Sequence, residues 1–415
     1  MFTSDKYADI IYTDETMREG MQIEHAGISV QDKIALLDAL SETGLKRIMV
    51  GSFVSAKYTP QMRHIEEIVT GFKPKPGVIY TALALNPRGH ERAHEFMPPL
   101  SNEVSRRRPR LYCHMCDIFV RRNANKGQAD EMATWRPTIE KAKAAGVKEA
   151  TIGLNAIFGS NYIGDIDVAL GMKMFALQHS LWDEAGITVK QIILSDPMGW
   201  CHPAKVTEYF TRIQQQWPQI TDFTLHVHNT RGMATASIYA ALLVLRKTDV
   251  LRLEGTVSGI GGCPYCGNGV ATNMVPTEDL VHMLDGMGYK TGVRIDKLID
   301  CVEMIEKMIG RQTLSHVSKT GPRPTDSKDF YDANMPFVET LGHAQHFRVG
   351  PSAYEGAISP WKEKVTSVYR DRIDQGLPAY ELHGSFPWNE SWVPQPGALA
   401  NEPFNPTSPI QGPAQ

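Results

Sequence analysis

The chain has 415 residues, 42% of them hydrophobic, and a formal net charge of −3 at pH 7. This composition is typical of a globular protein and excludes a global positive field that would attract nucleic acid or anionic lipid. The first residues, MFTSDKYADI, lack the basic start and apolar stretch of a secretory signal, and no segment approaches the ~18 apolar residues of a membrane span. Six cysteines are too few for a disulfide scaffold, so we expect a cytoplasmic protein with free thiols that binds neither nucleic acid nor membranes.

Short β-rich apolar segments alternate with longer amphipathic segments along most of the chain. The predicted strands are Ile10–Glu15, Leu45–Phe53, Val78–Leu85, Leu111–Val120, Glu149–Ala156, Gln191–Asp196, Phe223–His228 and Val250–Val257. Apolar residues at i, i+3 and i+4 predict helices that include Asp32–Thr43, Met132–Ala145, Asp167–Ala185, Ala204–Gln216 and Ala234–Arg246. Eight βα units in succession predict an α/β fold of the (β/α)8 TIM-barrel type. The alternative, an open doubly wound sheet, lacks a G-x-G-x-x-G motif after the first strand.

The pattern changes after about Ser315, where Pro, Trp and Tyr become frequent. We therefore predict a TIM-barrel catalytic domain over residues 1–315 and an irregular C-terminal extension over residues 316–415. The aromatic residues between Tyr331 and Trp392 favour a lid or a contact within a homo-oligomer, whereas the terminal NEPFNPTSPIQGPAQ is typical of a disordered tail.

Polar residues gather at the predicted carboxyl ends of the first, seventh and eighth strands, where TIM barrels place their active sites. His226 and His228 are two residues apart on one strand, so both imidazoles face the lumen of the barrel. Glu19 follows the first strand, and Asn273 or Asn268 follows the eighth. Two imidazoles, a carboxylate and an amide oxygen predict a divalent metal site that suits Mg²⁺ or Mn²⁺ and would also hold Zn²⁺.

The same stretches carry a resemblance to a known family. DETMREGMQ resembles the Asp-x-x-x-Arg-Asp-Gly-x-Gln signature of the DRE-TIM metallolyases, and SFVSAKYTPQM, HVHNTRGMA and SGIGGCPY resemble its 3-hydroxy-3-methylglutaryl-CoA lyase branch. The resemblance implies a carbon–carbon lyase that acts on a 3-hydroxy acid or its coenzyme A thioester. It assigns Arg18 to the enolate oxygen, Cys263 to proton transfer, and Glu19, His226, His228 and Asn273 to the metal.

Further residues are predicted to contact the substrate. We assign Gln22 and Asn229 to substrate binding. Arg121 and Arg122 fall where the lyases have Lys-Lys, so they contact the phosphates of coenzyme A or form a solvated turn.

Two cysteine pairs raise other possibilities. Cys263-Pro-Tyr-Cys266 has the sequence of a dithiol redox site, but such a site follows the first strand of a small domain, whereas this one follows the eighth predicted strand. The glycines around it, at positions 261, 262, 267 and 269, favour a loop that closes over a substrate. Cys113 and Cys116 fall on one predicted strand and would point to opposite faces, which argues against a zinc site.

Three features depart from the lyase pattern. Glu19 replaces the metal-binding aspartate, Met49 replaces a glutamate, and the loop after Cys263 has two additional residues, which leaves the choice between Asn273 and Asn268 open. Because a carboxylate that orients Arg18 or the metal shell is then missing, we expect a substrate other than 3-hydroxy-3-methylglutaryl-CoA. The alternatives are a Claisen-type acyltransferase, synthase or aldolase of the same superfamily, and a non-catalytic barrel used for binding.

Overall fold

The computed structural model describes residues 1–57, 59–101, 108–266, 273–337, 340 and 350–379. The chain divides into two compact units, of which the first is Met1–Pro322 and the second begins at Arg323. No helix in these ranges is long and apolar enough to cross a lipid bilayer. Asn268, Gly267, Gly269 and the predicted disordered tail lie outside the described residues.

The strands of the first unit are β1 (Asp9–Asp14), β2 (Arg47–Ser52), β3 (Ile79–Leu83), β4 (Arg110–His114), β5 (Glu149–Asn155), β6 (Gly159–Ser160), β7 (Gly164–Asp165), β8 (Thr188–Asp196), β9 (Asp222–Val227) and β10 (Val250–Gly255). Its helices are α1 (Val30–Ser41), α2 (Ile65–Gly71), α3 (Pro87–His94), α4 (Asp117–Ala124), α5 (Gln128–Ala133), α6 (Trp135–Ala144), α7 (Val168–Glu184), α8 (Pro203–Gln216), α9 (Ala234–Val244), α10 (Thr277–Gly286), α11 (Ile295–Ile309) and α12 (Val317–Thr320). The second unit contains the short helix α13 (Val368–Asp374).

Eight strands form one sheet in the order β3-β2-β1-β10-β9-β8-β5-β4, while β6 and β7 form a separate antiparallel pair. Every pairing within the large sheet is parallel. Helices separate successive strands of the large sheet in sequence, as βαβ units require. This arrangement confirms the predicted TIM-barrel fold.

The two faces of the strands have different chemistry. On the outer face, Leu194, Phe223 and Leu225 are fully buried in the hydrophobic core beneath the helices. The alternate residues face the lumen and form polar links between strands. Gln191 accepts a hydrogen bond from Thr151 and donates one to Thr224, each at 3.1 Å. The polar lumen is where a buried site can form.

Two predicted elements were wrong in their extent. The fourth strand ends at His114 rather than Val120, because Cys116 caps α4 by accepting a hydrogen bond from the amide of Phe119. The predicted helix Met132–Ala145 is two helices, α5 and α6. Pro137 has no amide hydrogen to donate to the preceding turn, which explains the break near Thr134. Cys113 and Cys116 therefore do not share a strand.

Two buried carboxyl groups lie below the loop that follows β10. Asp14 accepts hydrogen bonds from the Thr16 amide and the Thr277 hydroxyl, each at 3.0 Å. Glu278, at the start of α10, accepts hydrogen bonds from the amide of Ser258 at 3.0 and 3.1 Å. Burial raises the pKa of Asp14 to about 6 and that of Glu278 to about 7. Both groups therefore keep their protons to a higher pH than exposed carboxyl groups do.

We expect Glu278 to make the fold less stable as pH rises. Because its folded pKa lies above its ordinary value, its contribution to stability is full below about pH 4.5 and is lost as pH rises toward 7. The loss amounts to about 3 kcal/mol in the free energy of unfolding. Glu278→Gln removes this titration, so urea unfolding should show the variant gaining stability relative to the wild type between pH 4.5 and pH 8.

Glu306→Gln is the matched control, because the shift of Glu306 has the opposite sign. Burial alone would raise its pKa, but hydrogen bonds from Lys319 and Thr313 lower it. The titration of Glu306 in both states lies at or below about pH 4.5, so the stability difference between the Glu306 variant and the wild type should stay nearly constant between pH 4.5 and pH 8. Identical pH slopes for wild type and Glu278→Gln would contradict the assignment.

Candidate metal-dependent active site

Three side chains able to bind a metal converge at the carboxyl ends of β1 and β9, in the part of the chain that the structure describes. Glu19, His226 and His228 place ligand atoms within 4.8 Å of one another. Nε2 of His228 lies 3.3 Å from Nε2 of His226 and 3.9 Å from Oε1 of Glu19. Donors about 2.1 Å from one ion are separated by distances of this order, so the geometry fits a divalent cation.

Glu254, on β10, fixes the orientation of one of these imidazoles. Its Oε2 lies 2.5 Å from Nδ1 of His226, which leaves Nε2 of His226 directed toward His228. Burial alone would lower the pKa of His226, but the hydrogen bond and charge of Glu254 outweigh it and raise this pKa. A carboxylate behind a ligating histidine is the usual second layer of a metal site.

Arg18 lies beside the metal ligands and is held by two carboxylates. The first is Glu15, whose Oε2 is 3.0 Å from a terminal nitrogen of Arg18, and the second is Glu19. The side chain of Glu15 is only 4% exposed, so this ion pair is well shielded from solvent. Nε of Arg18 is also buried and has no hydrogen-bond partner among the described residues, which leaves a donor for a substrate oxygen.

The expectation that Arg18 lacks an orienting carboxylate was therefore wrong. Met49 lies on the face of β2 opposite Ile48 and Val50, which belong to the hydrophobic core, and β2 packs against the turn Thr16–Gly20. That turn is a single π-helical turn that brings Glu15 and Arg18 together. Glu15 supplies the negative charge that Met49 does not.

Gln22 connects the Glu19 turn to the loop after β10. Its amide nitrogen donates to Oε1 of Glu19 at 3.0 Å and to the carbonyl of Gly262 at 3.1 Å. Gln22 therefore links Glu19 to Gly262, the residue before Cys263. Gln22 was predicted to bind substrate, and its contacts here are with the carboxylate and the loop.

Cys263 is partly exposed, whereas Cys266 is fully buried in a small cluster with Cys116, Phe119 and other apolar side chains. The two cysteines belong to one tight turn in which the amide of Cys266 donates to the carbonyl of Cys263 at 3.3 Å. A hydrogen bond from the Cys266 side chain lowers the pKa of Cys263 in spite of burial. The same contact, with burial, raises the pKa of Cys266. Cys263 is thus the better proton carrier of the two near neutral pH.

Asn229 and Asn273, which were predicted to contact the substrate and the metal, are linked by a backbone hydrogen bond. The amide of Asn229 donates to the carbonyl of Asn273 at 2.7 Å. Asn273 has a left-handed backbone, with φ of 71°, and lines a cavity of about 290 Å³ with Ser258 and Arg311. The side-chain oxygen of Asn229 accepts from the amide of Ala234 at the start of α9. The assignments of Asn273 to the metal and Asn229 to the substrate stay predictions.

Arg121 and Arg122 lie within α4 rather than in a turn after a strand. Arg121 is 63% exposed and pairs with Asp117 at 2.6 Å. Arg122 donates to the carbonyl of Tyr265 at 3.0 Å and lies over the ring of Tyr162. Arg122 therefore contacts the cysteine loop, and its predicted role in binding coenzyme A phosphates stays a prediction.

Sequence reasoning missed Glu15 and Glu254. Glu254 could have been identified from the sequence. It lies two residues after Arg252 and so on the same lumen face of the eighth predicted strand, which pairs with the seventh. Glu15 could not have been identified in this way, since its contact with Arg18 depends on the π-helical turn that follows β1.

Comparisons with known proteins identify the family of this chain. The HMGL-like family model matches residues 9–305. The mitochondrial hydroxymethylglutaryl-CoA lyase of Gallus gallus is 31% identical over 306 residues, which are 74% of this chain and 95% of that protein. A 3-hydroxy-3-isohexenylglutaryl-CoA/hydroxy-methylglutaryl-CoA lyase of Pseudomonas aeruginosa is 32% identical and covers 73% of this chain and 93% of its own length.

A solved structure of a hydroxymethylglutaryl-CoA lyase is also similar to this chain. The crystal structure of hydroxymethylglutaryl-CoA lyase from Pseudomonas aeruginosa has a TM-score of 0.58 and 30% sequence identity, with 76% of this chain and 97% of that chain covered. Because the family model spans most of the barrel unit and these relatives match nearly over their whole length, the chain belongs to the HMGL-like family.

Proposed function

We propose that this protein is a divalent-metal-dependent carbon–carbon lyase that cleaves a 3-hydroxyacyl thioester of coenzyme A. The observation that carries the proposal is the convergence of Glu19, His226 and His228 beside Arg18 and the loop of Cys263. Membership of the HMGL-like family and the names of its relatives support it.

Cleavage of such a thioester creates negative charge on oxygen twice. The 3-hydroxyl loses its proton, the bond between C2 and C3 breaks, and the remaining enolate takes a proton at C2. A bound Mg²⁺ or Mn²⁺ would act as a Lewis acid toward the 3-hydroxyl oxygen. Glu19 and the two histidines would hold the cation, and Glu254 keeps His226 in the orientation that binding requires.

Arg18 is positioned to stabilise the enolate oxygen. Its guanidinium is fixed by Glu15 and Glu19 before substrate arrives, so little reorganisation is needed during the reaction. The buried Nε of Arg18 provides a donor that the described residues leave available.

Cys263 is positioned to deliver the proton to C2. Its neighbour Gly262 accepts a hydrogen bond from Gln22, which also contacts Glu19, and this link between the loop and the Glu19 turn supports the assignment. Its lowered pKa brings the thiol nearer to working pH, where proton transfer in either direction is most efficient.

A direct assay tests the proposal. Purified protein loaded with Mn²⁺ is incubated with a panel of 3-hydroxyacyl-CoA thioesters, and the released acyl-CoA is measured by mass spectrometry. We expect cleavage of at least one thioester, its loss after chelation of the metal, and slower cleavage of 3-hydroxy-3-methylglutaryl-CoA than of the preferred substrate. Binding of the thioesters without cleavage of any would overturn the proposal and favour a non-catalytic barrel.

A further inference from the structure

β4 ends in a histidine that lies on the lumen side of the barrel and is only 8% exposed. The lumen face of β4 is identified by Tyr112, whose hydroxyl donates to Oγ of Ser195 on β8 at 3.1 Å. His114 lies two residues further on and so shares this face.

His114 belongs to the same row of lumen residues as the metal ligand His226. In the register of the sheet, His114 pairs with Asn155, Asn155 with Ser195, and Ser195 with His226. Three strand spacings of about 4.8 Å separate the first and last members along the sheet, and the path across the lumen is shorter. A substrate held at the metal site can thus reach the wall that contains His114.

Glu131, from α5, holds the imidazole of His114 in place. Nδ1 of His114 lies 2.9 Å from Oε1 of Glu131, and the backbone amide of His114 donates to Oε2 of Glu131 at 2.9 Å. Burial alone would raise the pKa of Glu131, but its contacts with His114 lower it, so this carboxyl group is ionised near neutral pH. Glu131 therefore accepts a hydrogen bond from the protonated Nδ1 of His114 and fixes the orientation of the ring.

The other nitrogen of the ring is an acceptor that faces a donor. Nε2 of His114 lies 3.1 Å from Nδ2 of Asn155. The orientation of this amide is set by its oxygen, which accepts from the backbone amide of Ala156 at 2.8 Å. Because an amide nitrogen only donates, Nε2 must accept. A hydroxyl group that inserts between the two atoms can replace their direct bond, because it donates to Nε2 and accepts from Nδ2.

We propose that His114 is a specificity-determining residue whose Nε2, together with the amide of Asn155, binds a hydroxyl on the substrate substituent that lies away from the metal. The inference rests on the proposed lyase function. The pair of His114 and Asn155 lies on the lumen side of the neighbouring strands β4 and β5. A hydroxyl exchanges the direct bond between Nε2 and Nδ2 for two bonds of its own, whereas an alkyl substituent can form neither, so the pair favours a hydroxylated substrate.

Two thioesters that differ by one hydroxyl test this inference: 3-hydroxy-3-methylglutaryl-CoA and its 3-(hydroxymethyl) counterpart. We expect the Mn²⁺-loaded wild type to prefer the hydroxymethyl compound by at least ~10-fold, both in kcat/KM and in Kd from calorimetry. In His114→Leu the preference should fall to about one. In His114→Gln, whose amide oxygen can still accept, part of it should remain.

Tyr112→Phe is the matched control, because it removes a lumen hydroxyl from the same strand and face without altering the pair. It should keep the preference. If His114→Leu fails to fold, Asn155→Ala removes the donor of the pair and should abolish the preference in the same way.

The two proposals fail in different ways. A wild type that discriminates in Kd but cleaves neither thioester overturns the lyase function and leaves the hydroxyl site standing. A wild type without preference, or a His114→Leu variant that weakens both compounds equally, overturns the role of His114.

Discussion

Replacing both His226 and His228 with alanine will abolish stoichiometric binding of Mn²⁺ and, with it, cleavage of the thioester. Removal of two of the three converging donors leaves Glu19 alone, and one carboxylate does not hold a divalent cation tightly. Both histidines lie at the carboxyl end of β9 and face the lumen. They do not belong to the outer hydrophobic core, so the fold should persist. Metal content of the purified variant, with circular dichroism to verify folding, measures the effect.

Two further variants make this result specific. Glu254→Gln keeps all three donors but weakens the orientation of His226, so metal affinity should fall by about 10- to 100-fold. His202→Ala, at the start of α8, removes an imidazole that caps a helix and should leave metal content unchanged. Unchanged metal content in the double histidine variant would show that these side chains do not bind the metal.

Cys263→Ser will lower turnover by a factor on the order of 10² or more, as expected when a positioned acid is lost. Serine occupies the same position, but its hydroxyl is too weak an acid to deliver a proton near neutral pH. The measurement is kcat for the preferred thioester, with metal content determined on the same sample to exclude an indirect effect through Gln22 and Glu19.

Cys266→Ser is the matched control within the same turn. Its hydroxyl can still donate to Cys263, as the Cys266 side chain does, so turnover should change little. Equal losses in the two variants would instead support dithiol chemistry by the Cys-Pro-Tyr-Cys sequence.

The sequence predicted that the two histidines at the end of β9 converge, because strand geometry is regular. Side chains alternate with a period of two, so His226 and His228 had to share a face, and the barrel made that face the lumen. Glu19 followed from its position after the first strand. These inferences needed only the strand assignments, which hydrophobic patterns specify well.

The features that could not be predicted depend on irregular backbone. The pairing of Glu15 with Arg18 arises in a π-helical turn, which no local sequence pattern specifies. The early end of β4 depends on Cys116 acting as a helix cap, a role that serine, threonine, aspartate or asparagine normally fills. An error in the extent of β4 also hid the position of His114 at its carboxyl end.

The base of the cysteine loop shows how little stability added residues in this loop cost. The amide of Asn273 donates to the carbonyl of Gly261 at 2.8 Å, and that of Met274 to Gly259 at 3.0 Å, so the two ends of the loop are joined by hydrogen bonds. The closed segment from Gly261 to Asn273 has 13 residues. Two of these are additional to the lyase pattern, and for flexible chains their entropic cost of closure is only about 0.15 kcal/mol. Two added residues therefore cost almost nothing in stability as long as the hydrogen bonds at the base of the loop are kept.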